Sequence, residues 1–197
     1  MLAQDYREYL DEILVSSEAL QARIAELGGE ISRDYAGETL HLICILRGGV
    51  MFLTDLMRHI TVPCTIDFMA VSSYGSQRQT SGQVRISLDL KDDIQDRHVL
   101  LVEDIVDSGN TISSVLKVLE TRRPKTLRIC TLLDKPERRE VEVPIDYRGF
   151  SIPNKFVFGY GLDMDELYRN LPFIATVDLA RYRPQTTESL SESLEED

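Results

Sequence analysis

Apolar residues change their spacing several times along the chain, and each change marks an element. Over 17–35, Leu20, Ile24, Leu27 and Ile31 recur at intervals of three and four, which places them on one face of an amphipathic helix with Ser16 or Ser17 as its cap. Gly28 and Gly29 interrupt that stretch. Each costs ~1 kcal/mol relative to Ala inside a helix, so the pattern predicts a break there and a separate turn beyond it. The run LHLICIL (40–46) is apolar throughout, RGG follows, and VMFLTDLMRHI (50–60) returns to helical spacing. This reads as strand, tight turn, helix. The same order recurs in TIDFMAVSS (65–73), in HVLLV (98–102) followed by a loop and TISSVLKVLE, and in TLRICTLLD (126–134). Strands apolar on both faces that alternate with helices predict a parallel sheet in an α/β fold.

Three stretches depart from this alternation. YGSQRQTSGQ (74–83) is too polar to bury and rich in small residues, which predicts a mobile loop with the role of a lid. Beyond Pro136 the pattern turns irregular, with prolines at 144, 153 and 172 between short apolar pieces such as KFVFGYG and FIATVDL. These predict a small lobe over the sheet. The tail PQTTESLSESLEED (184–197) has too little apolar surface to offset ordering entropy, and disorder is expected there. The expected organisation is thus a single domain over 1–183 with an acidic tail.

Composition narrows the partners. With 43% hydrophobic and 28% charged residues, the bulk of the chain can bury a core, and no apolar stretch approaches the ~18 residues of a membrane span. The formal net charge is −11, and five acids lie in 184–197. An acidic body without a basic stripe argues against nucleic acid as a partner, because counterion release needs clustered Lys and Arg. The amino terminus, MLAQDYREYLDEIL, has no apolar core of a secretory signal, so a cytoplasmic location is expected. Cys44, Cys64 and Cys130 sit inside apolar runs without CxxC spacing, where a thiol packs as a small hydrophobe.

The chemistry concentrates in HVLLVEDIVDSGNTI. An apolar strand runs into Glu103 and Asp104, and Asp107, Ser108, Gly109, Asn110 and Thr111 follow before the next helix. Three carboxylates within five positions repel one another, and partial burial raises the cost, so a cation or a polyol is expected to satisfy them. Small residues opening a helix bring backbone N–H groups, hydroxyls and the helix dipole to one point, where a phosphate fits. A surface turn with a capping side chain and solvated acids would produce the same letters. The Walker pattern GxxxxGK[ST] is absent, which weakens an ATPase or kinase reading.

VLLVEDIVDSGNT resembles the phosphoribosyl-pyrophosphate (PRPP) signature of type I phosphoribosyltransferases. Its surroundings, LRGGVMFLTDL, DFMAVSSYG, TLLDKPERR and GFSIPNKFVFGYGLDMDELYRNLP, resemble the hypoxanthine-guanine branch of that family in order and spacing. The resemblance implies a type I phosphoribosyltransferase fold: a central, mostly parallel sheet flanked by helices, with a small hood lobe from about 10–16 and 137–175. It further implies a Mg²⁺-dependent purine-salvage transferase that makes IMP or GMP from PRPP and hypoxanthine or guanine, working as a homodimer or homotetramer.

The implied roles fall on matching residues. Glu103 and Asp104 match the acids that hold the ribose hydroxyls and, with Asp163, position Mg²⁺. Asp107 matches the general base for purine N7, and 107–111 takes the 5′-phosphate. Desolvation near other acids is expected to raise the proton affinity of Asp107. Arg47, Gly48, Ser73, Tyr74 and Arg169 match pyrophosphate contacts; Arg47 and Gly48 form a dipeptide that is often a non-proline cis peptide in this family. Lys135 matches the lysine on the purine 6-oxo group, Phe156 the stacking aromatic and Val157 the backbone that reads the base edge, with Asp163 near the base. Without the resemblance, Lys135 reads as a solvated lysine of a charged loop, and Phe156 and Val157 as core residues. A xanthine- or pyrimidine-specific transferase, or a PRPP-sensing regulator of the same fold, is the alternative.

Overall fold

The computed structural model describes residues 5–73 and 84–182. Helix α1 spans Ser17–Asp34, and its cap Ser16 accepts a hydrogen bond from the Ala19 N–H at 3.2 Å. It buries Leu20, Ile24, Leu27 and Ile31, the face that the spacing predicts. The expected break at Gly28 and Gly29 does not occur. Gly28 faces α2 (Val50–His59), where a Cβ would overlap the His59 side chain and backbone. The glycine is therefore a point of close helix contact, and packing against α2 outweighs its propensity cost.

Strands β2 (Leu40–Leu46), β3 (Cys64–Ser73), β4 (Val84–Leu88), β5 (His98–Val106), β6 (Thr126–Asp134) and β7 (Tyr147–Ser151) form one six-stranded sheet. Its order is β4-β3-β2-β5-β6-β7, and every pairing is parallel except that of β3 with β4. Helices α1 and α2 cover one face, burying Leu40, Leu42, Leu100 and Val102. Helix α3 (Asn110–Thr121) covers the other through Ile112, Val115, Leu116 and Leu119 against Ile43, Val99 and Leu101. Both faces of the central strands are thus dry, which is why β2 and β5 read as unbroken apolar runs.

The chain order reverses between β2 and β5, so the loops leaving these neighbours diverge and open a crevice at their carboxyl ends. Ligands of open α/β sheets bind at such a point. β5 also runs four residues farther than the 98–102 expected from its apolar letters. Its pairing with β2 ends at Val102, but pairing with β6 continues through Val106, so Glu103 and Asp104 lie within the strand.

A second, antiparallel sheet, β1-β9-β8, joins β1 (Leu10–Val15), β8 (Val157–Phe158) and β9 (Ile174–Val177). It packs Tyr9, Phe158, Met164, Ala175 and Val177 with Tyr6, Tyr168 and Phe173. This is the small lobe. Its boundary differs from the expected 137–175, because β7 extends the large sheet by pairing with β6, while β9 carries the lobe to Val177.

Candidate active site

Two loops meet at the crevice. The loop after β2 carries Arg47, Gly48 and Gly49. A Cβ on Gly48 would overlap the Asp104 carboxylate, and one on Gly49 would press on Cys44 Sγ and the Ile45 carbonyl. Only glycine permits this approach between the loop and β5. The one cis peptide of the described residues joins Leu46 and Arg47, one bond before the expected pair. Gly48 therefore serves the contact with Asp104 rather than the cis bond.

Glu103 is buried, and its Oε2 finds no hydrogen-bond partner. Burial, followed by the neighbouring Asp104 charge, holds its carboxyl well above the ordinary range. Burial also pushes Asp104 up to about 6, against the N–H of Ile105, which donates to Asp104 Oδ1 at 2.8 Å. A buried Glu103 with one unpartnered oxygen beside the Asp104 carboxylate fits hard-cation or polyol chemistry. Yet among the described residues no three His, Cys, Asp or Glu side chains are grouped so as to hold a metal. Glu103, Asp104 and Asp163 thus do not form a ready-made cage, an arrangement that suits Mg²⁺ held by one or two carboxylates together with substrate oxygens.

The loop after β5 is the candidate anion cradle. Gly109 adopts φ +88° at the start of α3, and a Cβ there would strike the Val141 carbonyl. The Ser108 carbonyl accepts from the N–H groups of Glu140 and Val141 at 2.9 and 3.1 Å, tying the cradle to the following segment. Asn110 Nδ2 donates to Ser108 Oγ at 3.2 Å and to Glu140 Oε2 at 2.6 Å, while Thr111 is exposed.

The surroundings of Asp107 differ from expectation. Its side chain is 41% exposed; Arg138 Nε donates to Oδ1 at 3.0 Å, and Lys135 Nζ lies 4.0 Å from Oδ2. The polar groups that reach this carboxylate are cations, not the crowded acids that the primary sequence predicts, because Glu103 and Asp104 are held lower in the strand. Lys135 is buried, and desolvation lowers its pKa while Asp107 counteracts it. The Lys135 N–H donates to the Val106 carbonyl at 3.0 Å, so extension of the β5–β6 ladder places this lysine beside Asp107.

From the lobe come the remaining residues. Phe156 is 50% exposed, its carbonyl accepting from the Val177 N–H at 3.1 Å, while Val157 is buried and pairs with Thr176. Asp163 pairs with Arg169 at 2.8 Å and accepts the Glu166 N–H at 3.0 Å. Arg169 Nη1 donates to the Gly161 carbonyl at 2.8 Å. Gly161 in turn lies so close to the Gly48 carbonyl that no Cβ would fit, which seats the lobe on the β2 loop. Arg47 reaches Glu166 at 2.9 Å. Ser73 ends β3, while Tyr74 and the expected lid over 74–83 lie outside the described residues.

Several residues at the site were not singled out by sequence reasoning. Arg138 contacts Asp107; Arg139 donates to the Asp107 carbonyl at 3.0 Å and pairs with buried Asp134; Glu140 accepts from Asn110, and Glu166 pairs with Arg47. The signal was the charge run DKPERRE after an apolar strand, which by letters alone reads as a solvated loop.

The model of the phosphoribosyl transferase domain matches residues 12–165. The chain belongs to the phosphoribosyl transferase family. Within that family it is 52% identical over 187 residues to a hypoxanthine-guanine phosphoribosyltransferase of Mycobacterium avium, spanning 92% of each chain. It is 51% identical over 170 residues to a hypoxanthine phosphoribosyltransferase of Escherichia coli K12, spanning 85% of this chain and 96% of that one. Among solved structures, a hypoxanthine phosphoribosyltransferase of Staphylococcus aureus superposes with a TM-score of 0.88 at 41% identity, covering 93% of this chain and all of the other. The mixed sheet with a small lobe is the fold of this phosphoribosyltransferase family. Among the described residues no helix is long and apolar enough to cross a membrane.

Proposed function

We propose that this phosphoribosyltransferase transfers the 5-phosphoribosyl group of PRPP to hypoxanthine and guanine, giving IMP or GMP and pyrophosphate. The observation that carries this reading is the pairing of Lys135 with Asp107 at the mouth of the anion cradle. A buried ammonium donates to an acceptor such as the purine 6-oxo group, and the carboxylate beside it accepts a proton from N7. Adenine would turn an amino group toward the same ammonium, leaving a buried donor unpaired, a stronger rejection than a size mismatch.

The bond between purine N9 and ribose C1′ forms as the bond from C1′ to the pyrophosphate oxygen breaks, and the N7 proton passes to Asp107. Backbone N–H groups of 108–111 hold the 5′-phosphate, and Glu103 and Asp104 accept from the ribose hydroxyls. Arg47, the backbone at Gly48, and Arg169 hold the leaving group, with Ser73 and Tyr74 assigned to it as well. Phe156 offers a ring face to the base, and Val157 its backbone. Asp104 and Asp163 would hold Mg²⁺ jointly with substrate oxygens, the ion supplying charge neutralisation for the departing pyrophosphate. Water at C1′ would hydrolyse PRPP, so the segment after β3 is assigned to excluding it.

The test is an absorbance assay with PRPP and Mg²⁺ against hypoxanthine, guanine, xanthine, adenine and uracil. Nucleotide formation from the first two and not from adenine is expected. Turnover confined to xanthine or uracil, or no product with any base, would overturn the assignment.

A further inference from the structure

The two arginines assigned to pyrophosphate are not free. Glu166 Oε1 accepts from Arg47 Nη2 at 3.1 Å, its Oε2 lies 2.9 Å from Arg47 Nη1, and the same oxygen lies 3.4 Å from Arg169 Nη2. One carboxylate thus bridges a guanidinium of the β2 loop and one of the lobe. Its backbone is held for the purpose, with φ +65° and its N–H on Asp163 Oδ2. Asp163 pairs with Arg169 as well. A carboxylate and a phosphate oxygen use guanidinium donors in the same bidentate way. Both cannot hold the same N–H groups at once.

We infer that Glu166 is an internal competitor for pyrophosphate, an affinity-setting residue that occupies Arg47 and Arg169 in the free enzyme and reclaims them as the product departs. The inference rests on the proposed reading of these arginines as the pyrophosphate contacts. A tight grip on a strongly anionic product would slow each turnover, whereas a tethered carboxylate at high effective concentration offsets part of that grip. Glu166 is 61% exposed and Arg47 70% exposed, so the bridge is weak enough for the incoming ligand to displace.

The experiment titrates magnesium pyrophosphate into the full-length protein by calorimetry and measures pyrophosphate as a product inhibitor in the transfer assay. Wild type is compared with Glu166→Gln, Arg47→Gln and the double variant. Glu166→Gln is expected to bind pyrophosphate about 1.5- to fivefold tighter, the range set by exposed ion pairs. Its KM for PRPP should fall in step while its KM for hypoxanthine stays within about twofold. The gain should shrink in the Arg47→Gln background and at high salt. Unchanged or weaker pyrophosphate binding by Glu166→Gln would overturn the inference and make the glutamate an organiser of the arginines instead. Pyrophosphate binding indifferent to Arg47→Gln would overturn the assignment of this arginine, and the competition with it. Absence of nucleotide product from wild type, with the calorimetric gain intact, would remove the proposed reaction and leave the competition standing.

Discussion

The cradle after β5 and the lobe above it contribute to one site by different physical means. β5 is flanked on both sides by parallel strands, its apolar residues dry on both faces, so Glu103, Asp104 and the turn at Gly109 are set by a ladder and a core that exist for the fold as a whole. The lobe has three short antiparallel strands and a cluster of aromatic edges, Tyr6 against Phe158, Tyr168 and Phe173. Its segment 160–168 turns through positive φ at Tyr160, Asp165, Glu166 and Tyr168, none of them glycine. Such residues hold that conformation only where their surroundings over-determine it. In the proposed reading, the groups for ribose, 5′-phosphate and the polar edge of the base therefore stand on the sheet and the loops that leave it, while the ring for the base face and one of the two pyrophosphate arginines stand on a lobe seated by a few contacts such as Gly161 on Gly48. The acids, Asp107 and Lys135 stand on the sheet side; Phe156 and Arg169 stand on the lobe.

The sharpest way to break this contrast is Asp107→Asn, on the sheet side. Proton transfer by a positioned base is worth roughly 10²- to 10⁴-fold, so kcat should fall at least about 10²-fold while KM for PRPP changes little. Steady-state kinetics check it, and wild-type turnover would remove Asp107 from the base role. Lys135→Ala comes next. Loss of a charged hydrogen bond of ~1.5 to 3 kcal/mol predicts a fall of about 10- to 100-fold in kcat/KM for hypoxanthine and guanine. Phe156→Ala, the matching change on the lobe, removes an exposed ring and should raise KM for the purine only several-fold, with kcat nearly intact. An effect as large as that of Lys135→Ala would show that the lobe grips the base as firmly as the sheet does.

The smallest effect concerns Asp104, the half-buried acid beside Glu103. The Asp104 carboxyl titrates near 3.8 in an unfolded chain and at about 6 in the folded one. The native state therefore binds the proton more tightly, so this group's contribution to stability rises as pH falls from above 6 toward 4 and is lost as pH rises through 6. Ligand-free Asp104→Asn should gain a few degrees of Tm over wild type at pH 8, and the gap should close toward pH 4. Thermal unfolding at the two values measures it. A gap independent of pH would mean that burial does not burden this carboxylate.

Local patterning made the sheet side legible. The strands at 40–46 and 126–134 and the helix face of Leu20, Ile24, Leu27 and Ile31 follow from period and hydrophobicity, as do the acids and small residues of 103–111, because burial on both faces leaves its mark on consecutive letters. The break expected at Gly28 and the early end expected for β5 failed for one reason: a neighbour supplied what the segment lacked, α2 for Gly28 and β6 for the acids.

What the sequence alone determined is the alternation of buried strands and helices and the inventory of acids, arginines and the lysine around the turn at 107–111, since these depend on periodicity and residue chemistry. Tertiary structure decided which charges meet: Lys135 and Arg138 on Asp107, Glu140 on Asn110, Glu166 between Arg47 and Arg169. Apart from Glu166 and Arg169, three positions apart, these pairs are separated by 28 to 119 positions and leave no periodic trace, because Coulomb energy depends on distance in space, and only the closing of the sheet and the seating of the lobe set that distance.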